Sequence, residues 1–157
     1  MKDIKKKFMT AAIRLAIENV KNGGGPFGAV VVKNNEIIGK GVNTVTSSND
    51  PTAHAEVNAI RNACTHLSDF QLNDCEIYSS CEPCPMCLGA IYWARPKAIY
   101  FAASKMDAAN AGFDDSFIYE EIPKQPLERS IITKEIPHEE KLQPFISWDE
   151  SEVKTRY

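Results

Sequence analysis

His54, Glu56, Cys84 and Cys87 are the residues of this 157-residue sequence whose types and spacing promise chemistry. His54-Ala55-Glu56 forms one short motif, and Pro83-Cys84-Pro85-Met86-Cys87 begins 27 residues after Glu56. On a helix, Cys84 and Cys87 stand i, i+3 on one face, so both sulfurs can reach one ion. The positive end of a helix favours thiolates over thiols. His54 adds a neutral nitrogen, and two thiolates, one imidazole and Zn²⁺ sum to zero formal charge. Three protein ligands leave the fourth tetrahedral position to water, the arrangement of a catalytic zinc site. A near-neutral site acidifies water less than one built from neutral ligands. Glu56, two residues beyond the ligand His54, is placed to complete the deprotonation as general base.

Closed arrangements compete with this open one. Cys81 precedes Cys84 by the same spacing, and Cys81, Cys84, Cys87 and His54 would also make a Cys₃His structural zinc. Cys81–Cys87 begins like an iron–sulfur run, but Ile91 stands where the fourth cysteine belongs. Two further patterns carry no chemistry. Gly23-Gly24-Gly25-Pro26-Phe27-Gly28 fits G-x-G-x-x-G, yet it follows a helical segment and opens a strand, the reverse of the dinucleotide fingerprint. His138-Glu139-Glu140 repeats H-x-E inside a charged, solvated stretch.

The elements that must position the motifs follow from periodicity. Residues 4–22 repeat apolar side chains at helical spacing (Ile4, Phe8, Ala11, Ala12, Leu15) and stop at the glycine run. Residues 27–33 and 36–42 read as a hairpin turning at Asn34-Asn35. A polar loop covers 43–51, and Thr52 is expected to cap a helix over 53–64. A strand at 76–80, a helix at 84–94 and a strand at 98–102 follow. Beyond Ser104 the signals weaken to a loop at 111–115, a strand at 130–134 and a helix at 139–150. Helices alternating with strands imply a sheet covered on both faces.

Composition bounds the rest. The 43% hydrophobic and 25% charged residues are those of a globular chain, and the length fits a single domain, 1–157. Eighteen basic against 21 acidic residues leave a net charge of −3, which argues against nucleic acid as the main partner. No run of about 18 apolar residues suggests a membrane span. Five cysteines, three of them between 81 and 87, read as metal chemistry in a reducing, cytoplasmic compartment. Cys64 and Cys75 read as buried small hydrophobes.

The pair H-x-E and P-C-x-x-C is the zinc-deaminase signature. At these residues the chain resembles the cytidine and deoxycytidylate deaminase superfamily. Residues 49–56 (NDPTAHAE) and 82–91 (EPCPMCLGAI) look like the branch that holds small bacterial guanine deaminases and tRNA adenosine deaminases. Residues 111–119 (AGFDDSFIY) and the terminal Tyr157 look like the guanine deaminases. The resemblance implies a three-layer α/β/α sandwich around a five-stranded mixed sheet, one catalytic zinc per chain, and a homodimer. It implies that His54, Cys84 and Cys87 bind zinc and that Glu56 shuttles protons. It also implies that Phe27, Asn43, Ala55, Trp93, Asp115 and Tyr157 contact a purine base.

Each of these contacts has a plainer alternative. Phe27 and Trp93 can serve the core, Asn43 a turn, and Asp115 the cap of the next helix. Asp115 carries the chemical argument for guanine. A carboxylate is acceptor-only and matches guanine's adjacent ring N–H and amine donors, whereas adenine lacks the ring donor. The reaction expected is hydrolytic deamination of guanine to xanthine and ammonia, with Asp115 sharing the final proton transfer. Alternatives are a tRNA adenosine deaminase or another nucleobase deaminase acting on cytosine or adenine. The tail from about residue 137 carries Phe145, Ile146 and Trp148, more aromatic surface than a free tail needs. It is expected to dock, on its own subunit or swapped onto a partner, and to bring Tyr157 to the pocket.

Overall fold

The structure, a computed structural model, describes residues 2–157. Helix α1 spans Lys2–Lys21, and strands β1 (Gly28–Lys33) and β2 (Glu36–Val42) form the expected hairpin. A one-turn helix α2 (Val45–Ser48) interrupts the loop ahead of α3 (Ala55–Leu67). Strand β3 (Glu76–Cys81), helix α4 (Pro85–Ala94) and strand β4 (Ala98–Ala103) complete the sheet-forming part. Helices α5 (Lys105–Asn110), α6 (Ser116–Glu121) and α7 (Gln143–Glu150) follow. The chain divides into two compact units, one ending at Phe117 and one covering Ile118–Tyr157.

The sheet runs in the order β2-β1-β3-β4, with β1 antiparallel to β2 and β3, and β3 parallel to β4. Parallel β3 and β4 need a crossover, which α4 supplies. Alternation along the central strands divides the core in two. Ala29, Val31 and Ile77 face Ala55, Ala59 and Ala63 of α3 and Ile91 and Ala94 of α4. Val30, Val32 and Tyr78 face Phe8 and its neighbours on α1, where the Phe8 and Tyr78 rings meet tilted by 52° with centroids 5.4 Å apart. The fold is therefore a mixed sheet between helical layers, the α/β/α arrangement expected.

Among the described residues the sheet has four strands where five are expected. Residues 130–134 form no strand: Ile131 and Ile132 are each 80% exposed, without the apolar cover that holds a β-branched run in a sheet. Local propensity alone does not make a strand there. The helix expected over 139–150 begins only at Gln143, because Pro144 suits a first turn and not an interior. Thr52 does not cap α3. Its N–H and Oγ1–H both donate to Asp50 Oδ1 (2.8 and 2.7 Å), and His54 takes the cap position. Among the described residues no helix is long and apolar enough to cross a membrane.

One close approach sets the depth of α3. A Cβ on Gly41 would stand 2.1 Å from the carbonyl oxygen of Ala55, so only glycine lets β2 lie against the start of that helix. Asn58 Nδ2–H donates to Val42 O (2.9 Å) and fixes α3 along the strand. The first turn of α3, which carries His54 and Glu56, is thereby held over the sheet.

Candidate active site

Two helix N-termini converge at the site. His54 caps α3 in an extended conformation (φ −73°, ψ 159°), so its ring leaves the helix end instead of joining its side. Cys84 caps α4 in the same way (φ −64°, ψ 167°), and its Sγ accepts the N–H of Cys87 at 3.5 Å. Pro85 occupies the first turn, where the missing N–H costs nothing. His54 Nδ1 lies 3.5 Å from Cys84 Sγ and 3.4 Å from Cys87 Sγ. The three ligand atoms fall within 4.8 Å of one another. One nitrogen and two sulfurs at this spacing suit zinc, and Nδ1 is the ring nitrogen turned toward the two sulfurs.

Cys81 takes no part in this group. It ends β3, and its Sγ points at the carbonyl of Ser104, 3.6 Å away. Burial pushes its thiol up to about 11, so it remains a neutral thiol at physiological pH. The donor set is thus open, as a hydrolytic site needs. Cys84 behaves oppositely: the Cys87 thiol and the His54 ring hydrogen-bond to its sulfur and hold it down at about 4. The same thiol–thiolate hydrogen bond, together with burial, moves Cys87 up. His54 is raised by its contact with Cys84.

Glu56 projects from the first turn of α3 and is 6% exposed. Its Oε1 accepts the Ser79 hydroxyl (3.0 Å), and its Oε2 accepts the Cys87 thiol (3.4 Å). Burial raises its pKa above the ordinary carboxylate value. A buried carboxyl beside the open face of a metal group, with a raised pKa, is suited to taking up and releasing protons.

A cavity of about 200 Å³ opens onto this group. Phe27 and Asn43 line it from the start of β1 and the end of β2, and Asp115 lines it from the loop beyond α5. That loop is built locally. Ser104 and Asp107 form a reciprocal capping box that starts α5. Gly112 turns the chain at φ +91°, and Phe113 N–H returns to Ala108 O (2.9 Å). Asp114 Oδ1 accepts the N–H of Ser116, so Asp114, not Asp115, serves the next helix. That hydrogen bond lowers Asp114, whereas burial raises Asp115.

Ala55 is fully buried behind His54. Trp93 lies on α4, is 65% exposed, and is not among the residues lining the cavity. Tyr157 ends the second unit.

Sequence reasoning missed Phe113 and Ser79 as site residues. Phe113 packs edge-on against Phe27 (5.0 Å, 87°) and forms a wall of the cavity; its position two residues before Asp115 was the available signal. Ser79 alternates with Ile77 and Cys81 in an otherwise apolar strand face, and a lone hydroxyl there needs a polar partner.

The family model described as the cytidine and deoxycytidylate deaminase zinc-binding region matches residues 2–103. Over 151 residues the chain is 59% identical to the guanine deaminase of Bacillus subtilis (strain 168), covering 96% of this chain and 97% of that one. It superposes on the crystal structure of guanine deaminase from Bacillus subtilis with a TM-score of 0.95 at 58% identity, over 97% of this chain and 98% of that one. A tRNA-specific adenosine deaminase of Buchnera aphidicola subsp. Baizongia pistaciae is 46% identical over 103 residues, 66% of this chain and 64% of its own length. With the H-x-E and P-C-x-x-C motifs folded onto one open donor set, the chain belongs to the cytidine and deoxycytidylate deaminase family.

Proposed function

We propose that the protein hydrolyses the amino group of guanine, releasing ammonia and leaving xanthine. The observation that carries this reading is the near-full-length similarity to a guanine deaminase, which extends through the loop bearing Phe113 and Asp115. The similarity to the tRNA-specific adenosine deaminase covers about two-thirds of the chain.

The residues divide the work. His54 Nδ1 and the sulfurs of Cys84 and Cys87 would hold one zinc per chain, and zinc supplies the Lewis acidity that makes water a nucleophile at neutral pH. Phe27, braced edge-on by Phe113, packs on the ring, and Asn43 hydrogen-bonds the base. Asp115 accepts from the adjacent ring N–H and amine of guanine. Glu56 takes the proton of the attacking water and delivers it to the neighbouring ring nitrogen. It then takes the remaining hydroxyl proton from the attacked carbon's new oxygen and passes it to the amine, which leaves as ammonia while the carbonyl of xanthine forms, with Asp115 sharing that second transfer.

Ammonia release from a panel of free bases, measured on zinc-loaded protein, tests the reading. Guanine is expected to be the preferred substrate. Deamination of adenosine in a tRNA hairpin with no action on guanine would overturn it. Asp115→Asn places a donor against guanine's donors, and losing a charged hydrogen-bond partner costs about 1.5–3 kcal/mol, roughly ten- to a hundredfold in guanine turnover. Activity on bases without those donors should be spared; an equal loss on every base would assign Asp115 to holding its loop.

The proposal includes a homodimer whose tail, from about residue 137, helps close the site of its own or the partner subunit. Two observations support it. Leu88, Tyr92 and Trp93 leave an apolar strip exposed on α4, and Phe145 and Ile146 are exposed on α7. Deleting residues 155–157 should leave the melting temperature nearly unchanged and lower guanine turnover about tenfold or more, since closure orients the base and excludes water. Recovery of activity on mixing with Glu56→Gln protein would place the tail across the dimer. Normal turnover in the truncated protein would remove the tail from the site. Five unpaired cysteines fit a reducing, cytoplasmic setting.

A further inference from the structure

The base-binding wall is held together by a residue that does not line the cavity. Asn19, half-buried in the last turns of α1, uses both N–H bonds of one side-chain nitrogen. Nδ2 donates to Gly25 O at 2.8 Å and to Asn43 O at 2.8 Å. Both partners are carbonyl oxygens, which fixes the orientation of the amide. The two acceptors belong to the two segments that carry Phe27 and Asn43 into the cavity.

The glycine run is shaped around this bridge. A Cβ on Gly24 would stand 2.4 Å from Asn19 Nδ2, and a Cβ on Gly25 would stand 3.0 Å from the Asn43 side chain. The Asn19 backbone carbonyl also accepts the N–H of Gly24 at 2.8 Å. Gly25 O accepts a second bond from Phe27 N–H (2.8 Å), and Asn43 N–H donates to Phe27 O (3.2 Å). Asn19, Gly25, Phe27 and Asn43 thus form one closed hydrogen-bonded circuit, with the helix end on one side and the two base contacts on the other.

We propose that Asn19 is a positioning residue that sets the separation of Phe27 and Asn43, and so governs how tightly the base is held and not how fast it reacts. The inference rests on the reading that Phe27 and Asn43 contact a purine base. Glu56 and the metal ligands hang from α3 and α4 and share no hydrogen bond with the Asn19 circuit. Loosening the circuit therefore acts on binding and spares the proton-transfer geometry.

Asn19→Ala and Asn19→Asp test it in the full-length, zinc-loaded protein. Alanine is the better helix former, which partly offsets the two lost hydrogen bonds, so Asn19→Ala should lower the melting temperature only modestly. Its KM for guanine should nonetheless rise about tenfold, the worth of one to two hydrogen bonds, with kcat within about twofold of the wild type. Asn19→Asp keeps the side-chain shape and sets a carboxylate against two carbonyls, so KM should rise further in that variant. Hydrogen exchange at the Phe27 and Asn43 amides should speed up in both variants. An unchanged KM, or a fall in kcat equal to the rise in KM, overturns the proposal. If wild-type protein acts on no free base, the guanine reading falls on its own, and unaltered exchange at those two amides would then sink the bridge as well.

Discussion

Glu56→Gln is expected to keep the fold and the metal and to lower deamination by about 10²–10⁴-fold, the usual worth of a general acid–base group. The substitution is nearly isosteric at a site only 6% exposed. The amide oxygen can still accept the Ser79 hydroxyl that now bonds Oε1, and the amide nitrogen can donate to the Cys87 sulfur now beside Oε2. Neither buried contact is left unsatisfied, so stability should change little. What disappears is the capacity to accept a proton from water and pass it to the ring. Zinc content, melting temperature and ammonia release on one preparation check the three statements together. Near-wild-type turnover with normal zinc would remove Glu56 from proton transfer.

The other large effect separates the three clustered cysteines. Cys84→Ala should lose the metal, falling from about one zinc per chain to near zero, and activity should drop below the Glu56→Gln level. Cys81→Ala should keep both. Cys84 Sγ stands 3.5 Å from His54 Nδ1 and belongs to the 4.8 Å donor group. Cys81 Sγ spends its contact on Ser104 O and is buried as a neutral thiol. Removing it deletes a small buried side chain, which costs packing but no ligand. Metal analysis of the two variants reads the result directly, and equal loss in both would mean a closed Cys₃His site.

Much of the scaffold was legible in short windows. The continuous apolar, β-branched run Ala29-Val30-Val31-Val32 reads as a strand, and in the fold helices pack on both of its faces. The turn at Asn34-Asn35 is confirmed by left-handed φ values of 51° and 63°. Helix α4 begins at Pro85 and stops before Pro96, as the two prolines require. Windows failed where a distant partner decides. Residues 130–134 have the β-branched composition of a strand and no strand to pair with. Thr52 has the type of a helix cap, but Asp50 claims its hydroxyl first.

The sequence by itself determined the chemistry available: one imidazole, one carboxylate two residues on, and thiols one helical turn apart. Those relations are local, set by caps and helical periodicity, and survive any packing that keeps the two helix starts. Equal spacing alone does not say which two of three cysteines point at His54; the P-C-x-x-C motif selects Cys84 and Cys87, and only the structure gives the reason. Cys81 ends a strand while Cys84 begins a helix, so the side chains leave the backbone in different directions. The sequence could not join Asn19 to Asn43, 24 residues apart, or Phe27 to Phe113. The first is fixed by the β1–β2 register, Gly28 opposite Val42, and by how closely Gly28 lets α1 approach; a Cβ there would stand 2.4 Å from Ala12 O. A side chain's partner across the fold is a property of three-dimensional packing, and no single window of the chain contains both members.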